Sequence, residues 1–269
     1  MESDHVAFAF GLTLLAGLST GIGSAIALFA KRTNTKLLAV SLGFSAGVMV
    51  YISLVEMVGA AGERLGAAWG EAAGGWAATG AFFAGIFLTA VIDRFVPSFE
   101  NPHEARKLEE MAAGRSPKGD RALLRMGVFS AVAIAIHNFP EGLATFVAAL
   151  KSPAAGLPIA LAIAIHNIPE GISVSVPVYY STGSRRKAFL YSFASGLAEP
   201  AGALVGYLLF APFLSDAVFG FLFAGVAGIM VYVSFDELLP AAHKYGEHHL
   251  AVYGLIAGMA VMAVSLLAL

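Results

Sequence analysis

Apolar residues run in long blocks along this chain, and polar residues are confined to short gaps between the blocks. A helix needs about 20 mainly apolar residues to cross the hydrocarbon core of a bilayer. Eight blocks meet that requirement: Val6–Ala30, Leu37–Ala61, Ala72–Val96, Leu123–Leu150, Leu157–Tyr180, Ala188–Phe210, Phe213–Pro240 and Leu250–Leu269. The pattern predicts an all-α polytopic membrane protein with eight spans. The alternating segments of a membrane barrel are absent. One gap is long, roughly 97 to 122, and mixes Pro, Gly and charges of both signs. It reads as a solvated cytoplasmic loop, so residues 1–269 form a single transmembrane domain. The N-terminal MESDHVAF lacks the basic region of a cleavable signal peptide and reads as a short tail running into the first span.

Composition and charge sharpen this picture. The chain is 58% apolar and 13% charged, about half the charged share of a soluble domain. Its mean hydropathy is +0.77. The net charge of -2 and the lack of a basic patch give no sign of a nucleic-acid partner. With no cysteine, disulfides and thiolate metal ligands are excluded. Lys and Arg collect in cytoplasmic loops. Lys31, Arg32, Lys36, the stretch from Arg94 to Arg125, Arg185, Arg186, Lys187 and Lys244 fall on one side of the eight spans, and only Arg64 and Lys151 on the other. Both termini are therefore expected outside, in an inner (plasma) membrane protein. Small residues four apart, such as Gly17/Gly21, Gly202/Gly206 and Gly254/Gly258, are expected to let helices approach closely.

Two internal repeats stand out. AIAIHNFPEG (133–142) and AIAIHNIPEG (162–171) differ at one position, and AGVMVYISLVEM (46–57) resembles AGIMVYVSFDEL (227–238). Each repeat pairs spans of opposite direction. Spans 1–3 would map onto 6–8, and 4 onto 5, as an inverted repeat of the kind secondary transporters use around a midplane site.

The chemistry lies in the first repeat. His137, Asn138 and Glu141 share one helical face by their spacing, and His166, Asn167 and Glu170 repeat it on the antiparallel neighbour. Two such faces turned toward each other offer imidazoles, carboxylates and amide oxygens for one divalent ion, or for two sharing a carboxylate. Pro140 and Pro169 each remove a helical hydrogen bond, which predicts kinks and freed carbonyls at Ile136 and Ile165. The intramembrane charges are all acidic: Glu56, Asp93, Glu141, Glu170, Glu199, Asp236 and Glu237. An unpaired carboxylate at the bilayer centre costs at least about 2.5 kcal/mol, so the mid-span acids need protons or cations. Imidazole with carboxylate favours zinc, iron or nickel over magnesium or calcium. Affinity is expected to fall as the imidazoles protonate, below about pH 6.5.

Glu199 in SGLAEP joins a further mid-span acid to a proline and is expected in the site. Glu56, Asp236 and Glu237 sit toward the ends of repeat-related spans and are candidate way-stations, Glu56 outside and the other two inside. His243, His248 and His249 are expected in a cytoplasmic loop. Together with His103, Asp4 and His5, they are weaker candidates for metal hand-off.

On these residues the chain resembles the ZIP (Zrt-/Irt-like) family of divalent metal transporters, in its bacterial zinc-uptake branch. The resemblance covers length, span number, HNFPEG, HNIPEG and SGLAEP. It implies uptake of metal into the cytoplasm, zinc first, with iron, manganese, cobalt and cadmium as alternatives. It implies one metal position at His137, Glu141 and Glu170 with His166 nearby. A second lies at Asn138, Asn167, Glu170 and Glu199, with Glu170 bridging. Asn167 stands where some relatives have an acid. No catalytic cofactor is expected, and the partners are the metal ion and the bilayer; monomer or homodimer is left open. Alternating access is expected, with spans 4 and 5 shifting against 2 and 7. Three rivals remain from the sequence: an intramembrane zinc hydrolase, disfavoured by the lack of HExxH; a passive channel; and a sensor, disfavoured by the lack of a soluble output domain.

Overall fold

A computed structural model describes residues 3–29, 35–95, 121–151, 153–210, 215–245 and 248–268. The described residues form eight helical rods. Helix α1 is Ser3–Phe29. Helix α2 comprises Thr35–Tyr51, a π-helical turn Ile52–Met57 and Val58–Trp69. Helix α3 is Glu71–Phe95, α4 is Arg121–Lys151 and α5 is Pro153–Thr182. Helix α6 comprises Arg185–Gly196 and Ala198–Phe210. Helix α7 comprises Asp216–Val233, a π-helical turn Ser234–Leu238 and Leu239–Tyr245, and α8 is His248–Ala268. Six helices among the described residues are long and apolar enough to cross a membrane, and Ile134–Leu150 is a shorter apolar one. The chain is a multi-pass membrane protein.

Local chemistry sets the ends. Gly70 (φ 88°) and Gly183 (φ 67°) adopt the left-handed conformation that glycine reaches without a Cβ penalty, and they turn the chain from α2 into α3 and from α5 into α6. Ser184 and Ser215 cap α6 and α7: the Lys187 and Val218 N–H groups donate to their hydroxyls, each at 3.3 Å.

Several expectations are corrected. Helix α2 runs to Trp69, eight residues past its expected end at Ala61. His243 lies on the last turn of α7, which passes through Pro240, and His248 and His249 open α8; these histidines are on helix ends and not in a loop. Helices α4 and α5 stay helical through Pro140 and Pro169. An interruption not expected from the sequence falls at Leu197 in α6. Pro200, with no N–H, leaves the carbonyl of Gly196 without its helical donor, and that carbonyl lies against Gly17. The expected loop at 97–122 and His103 lie almost wholly outside the described residues.

The rods sort into two groups of four. In the first, α5 packs on α1 and α4, α6 packs on α4, and α1 touches α4 and α6. In the second, α2 packs on α8, α3 on α7, and α3 and α7 also pack on the end of α2. The groups meet more lightly, through α2 with α5, α4 with α7, and α8 with α5. Within each group glycines bring backbones together. A Cβ on Gly171 would overlap the Thr20 carbonyl, and one on Gly142 the Glu199 carbonyl. A Cβ on Gly47 would overlap the Leu255 carbonyl, and one on Gly228 the Phe82 carbonyl. Helices α3 and α8 lie at the rim of the second group with Trp76, Phe87, Val264 and Leu267 exposed, as lipid permits.

Candidate functional site

Among the described residues, buried polar side chains fall almost entirely on α1, α4, α5 and α6; only Ser45, Ser53 and Ser234 lie elsewhere. His137, Asn138 and Glu141 of α4 and His166, Asn167 and Glu170 of α5 are all buried. The i, i+4 spacing aims the His and Glu of each trio at the other helix, and the antiparallel arrangement crosses their partners. His137 Nε2 lies 3.0 Å from Glu170 Oε1, and His166 Nε2 lies 3.2 Å from Glu141 Oε2. His166 Nε2 is also 3.9 Å from Glu170 Oε1. The two repeats thus build one reciprocal cluster of two imidazole–carboxylate pairs.

Glu199 joins this cluster from α6. The Asn167 amide N–H group donates to Glu199 Oε1 in a short contact, and to the Ala16 carbonyl of α1 at 2.9 Å. Four helices therefore converge on the site. Glu141 Oε1, Asn167 Oδ1, Glu199 Oε2 and both amide atoms of Asn138 are buried with no hydrogen-bond partner among the described residues. Buried polar atoms are ordinarily satisfied, and each orphan costs about 1–3 kcal/mol. Acceptor oxygens dominate this set, which is the chemistry of a cation site and not of an anion site. The would-be ligands bond to one another: no three His, Asp or Glu side chains among the described residues are gathered at the spacing of a metal's ligands. No Lys or Arg is buried among the described residues to neutralise the three acids.

The candidate way-stations divide. Glu56 and Glu237 occupy the two π-helical turns at matching places in the second repeat, each half-buried. Such turns arise where a helix accommodates an extra residue, and they are frequent at functional sites. Glu237 lies within electrostatic reach of His137 and Glu170, and of Asp236 and Asp93. Asp236 is exposed, and the Tyr232 hydroxyl donates to Asp93 Oδ2 at 3.5 Å. Glu237 thus shares the electrostatic surroundings of the central cluster and of Asp93 and Asp236. His5, His243 and His249 are exposed and lie near helix ends.

The structure adds Thr20, which reading the sequence for chemistry missed because threonine is an ordinary helix-packing residue in membranes. It is buried with its hydroxyl unpartnered among the described residues. A signal was present in the chain: GLSTGIG (17–23) matches GLAEPAG (196–202) at both ends, setting Thr20 against Glu199.

A family model described as ZIP Zinc transporter matches residues 98–266. The chain belongs to the ZIP family. Relatives carrying the name zinc transporter ZupT agree over nearly its whole length. The Clostridium perfringens protein is 59% identical over 98% of this chain and 96% of its own. The Nitratidesulfovibrio vulgaris protein is 60% identical over 99% of each. The Chlorobium chlorochromatii protein is 59% identical over 98% of each. The resemblance seen in HNFPEG, HNIPEG and SGLAEP therefore extends from end to end and places the chain in the ZupT-like branch of the family.

Proposed function

We propose that this chain carries divalent transition-metal ions, zinc first, into the cytoplasm across the inner (plasma) membrane by alternating access. The observation that carries the reading is the buried reciprocal cluster His137–Glu170 and His166–Glu141, flanked by unpartnered Asn138, Asn167 and Glu199 oxygens. The names of the relatives support zinc as cargo. Iron, manganese, cobalt and cadmium are the alternatives, since the same borderline donors serve them.

His137, Glu141, Glu170 and His166 form one metal position in this reading, and Asn138, Asn167, Glu170 and Glu199 the second. An imidazole that shares a proton with a carboxylate gives that proton up before its nitrogen binds a cation. Proton and metal thus compete for each pair, and the carboxylates receive the charge of the ion. Glu237 takes the ion onward toward Asp93 and Asp236, and Glu56 serves the opposite side.

The path between the two sides follows from an inverted repeat, with spans 1–3 matching 6–8 and 4 matching 5. Eight crossings leave both termini outside. Paired contacts support it: Gly171 against Thr20 matches Gly142 against Glu199, and Gly258 against Phe44 matches Gly85 against Gly225. The group α1, α4, α5 and α6 carries the site and shifts against α2, α3, α7 and α8 across their lighter boundary. The whole of residues 1–269 is one transporter domain in this reading.

The test is zinc entry into proteoliposomes loaded with a zinc-sensitive dye, comparing wild type, His137→Ala and Glu170→Ala. Iron, manganese, cobalt and cadmium compete in parallel. Loss of entry in both variants supports the reading. A wild type that binds zinc through these residues yet moves no divalent metal sinks it.

A further inference from the structure

Helices α1 and α6 occupy matching places beside α5 and α4. Gly23 of α1 lies against the Ile168 carbonyl as Gly202 of α6 lies against that of Phe139, and Ile168 and Phe139 are the same position of the HNxPEG repeat. Gly17 and Gly196 lie against each other's carbonyls. This correspondence carries Thr20 onto Glu199 and Asn138 onto Asn167.

The two matched pairs differ in what they satisfy. Asn167 donates to Glu199. Asn138 and Thr20 are fully buried, and neither the Asn138 amide nor the Thr20 hydroxyl has a partner among the described residues. Four other threonines bond the carbonyl four residues back, Thr13 to Ala9 at 3.0 Å, Thr79 to Gly75 at 2.9 Å, Thr89 to Gly85 at 3.0 Å and Thr182 to Val178 at 2.7 Å, whereas Thr145 on α4 is, like Thr20, buried with its hydroxyl unpartnered among the described residues. For Thr20 that carbonyl is Ala16, which the Asn167 amide already engages at 2.9 Å. The Thr20 side chain instead points at Gly196, where any Cβ would crowd its hydroxyl. Glycine there keeps the space beside the hydroxyl open.

We propose that Thr20 and Asn138 form the uncharged end of the second metal position, a station that mirrors its Asn167–Glu199 end. Asn138 Oδ1 faces the ion, and Thr20 Oγ1 accepts a hydrogen bond from a water of its shell. Neutral oxygens hold a divalent ion less tightly than a carboxylate does, so this station passes the ion while Glu199 retains it. The asymmetry makes the two halves of an otherwise matched repeat unequal in affinity, and Thr20 sets that inequality. The proposal rests on the transport reading and adds a residue to it.

The experiment measures zinc uptake in proteoliposomes for wild type, Thr20→Val and Thr20→Ser, with the melting temperature of each metal-free protein in detergent. Valine keeps the shape and removes the hydroxyl; serine keeps the hydroxyl. The expected result is a KM raised about two- to tenfold in Thr20→Val, the worth of one hydrogen bond, with KM restored in Thr20→Ser and melting temperatures unchanged. A wild-type KM in Thr20→Val overturns the station. Equal loss in both variants with lowered melting temperatures also overturns it, by showing a packing role. A wild type that transports no zinc overturns the transport reading and the station with it; wild-type transport with an unaffected Thr20→Val overturns the station alone.

Discussion

The two groups of four helices answer the same solvent in opposite ways. The group α1, α4, α5 and α6 buries His, Asn, Glu, Ser and Thr beside apolar side chains such as Phe146 and Ile163, whereas the side chains that α2, α3, α7 and α8 bury are, among the described residues, apolar apart from three serines and include Met49, Ile52, Leu65, Phe219 and Phe223. Lipid gives no hydrophobic drive for helices to associate, so both groups depend on close van der Waals contact. Both obtain it through glycine seams, and every described glycine whose Cβ would meet another helix's backbone meets one in its own group. Among the described residues the boundary between the groups has no such glycine seam. Interlocked backbones resist sliding and side-chain contacts yield more readily, which is the contrast that the proposed movement between the groups requires.

Cross-links test that contrast most severely, and the absence of native cysteine makes the background clean. A disulfide joining α2 to α5 is expected to stop zinc uptake, while one joining α1 to α5 leaves it running; uptake through the first cross-linked protein would refute movement at the boundary. Next in size are single acids. Glu141→Ala is expected to lower uptake about 100-fold, as loss of a ligand-shell partner does at the top of its range. Glu56→Ala, on the second group, is expected to cost about tenfold or less. Equal losses, read as initial rates at one zinc concentration, would erase the functional division between the groups.

Smaller still are the seams. Gly171→Val and Gly258→Val force a side chain against the Thr20 and Phe44 carbonyls and are each expected to destabilise by about 1–3 kcal/mol. Thermal unfolding in detergent checks this, and a variant that melts like wild type would mean that its seam is loose. Least of all is Arg64→Ala. It removes a 3.0 Å ion pair with Asp216 and a stack on Phe219 at one end of the second group. The pair is solvent-exposed, and its loss is expected to cost under about 1 kcal/mol.

Much of this was legible in the chain. Block length and hydropathy gave the helices, because a bilayer demands apolar runs of fixed length. The i, i+3, i+4 spacing gave the shared faces of His137, Asn138, Glu141 and their repeat, because helix geometry is local. The family was likewise readable from HNFPEG, HNIPEG and SGLAEP. Boundaries were less so: α2 passes Ala61 because Gly70, and not the fall in hydropathy, ends it. His243, His248 and His249 read as loop because their polarity resembles that of irregular backbone, yet they sit on helix ends. The interruption at Leu197, ahead of Pro200, was not legible either: Gly17 receives the freed Gly196 carbonyl from across the helix pair.

What the sequence determined by itself was every property set by near neighbours: helix, face, turn glycine and cap. The tertiary structure alone decided which carboxylate meets which imidazole, which helices form a group, and that the Thr20 hydroxyl is buried without a partner among the described residues. Those depend on contacts between residues far apart in the chain, such as Thr20 with Gly171 and Ala16 with Asn167. No local pattern encodes them, because the same amphipathic face can meet any partner until backbone packing selects one.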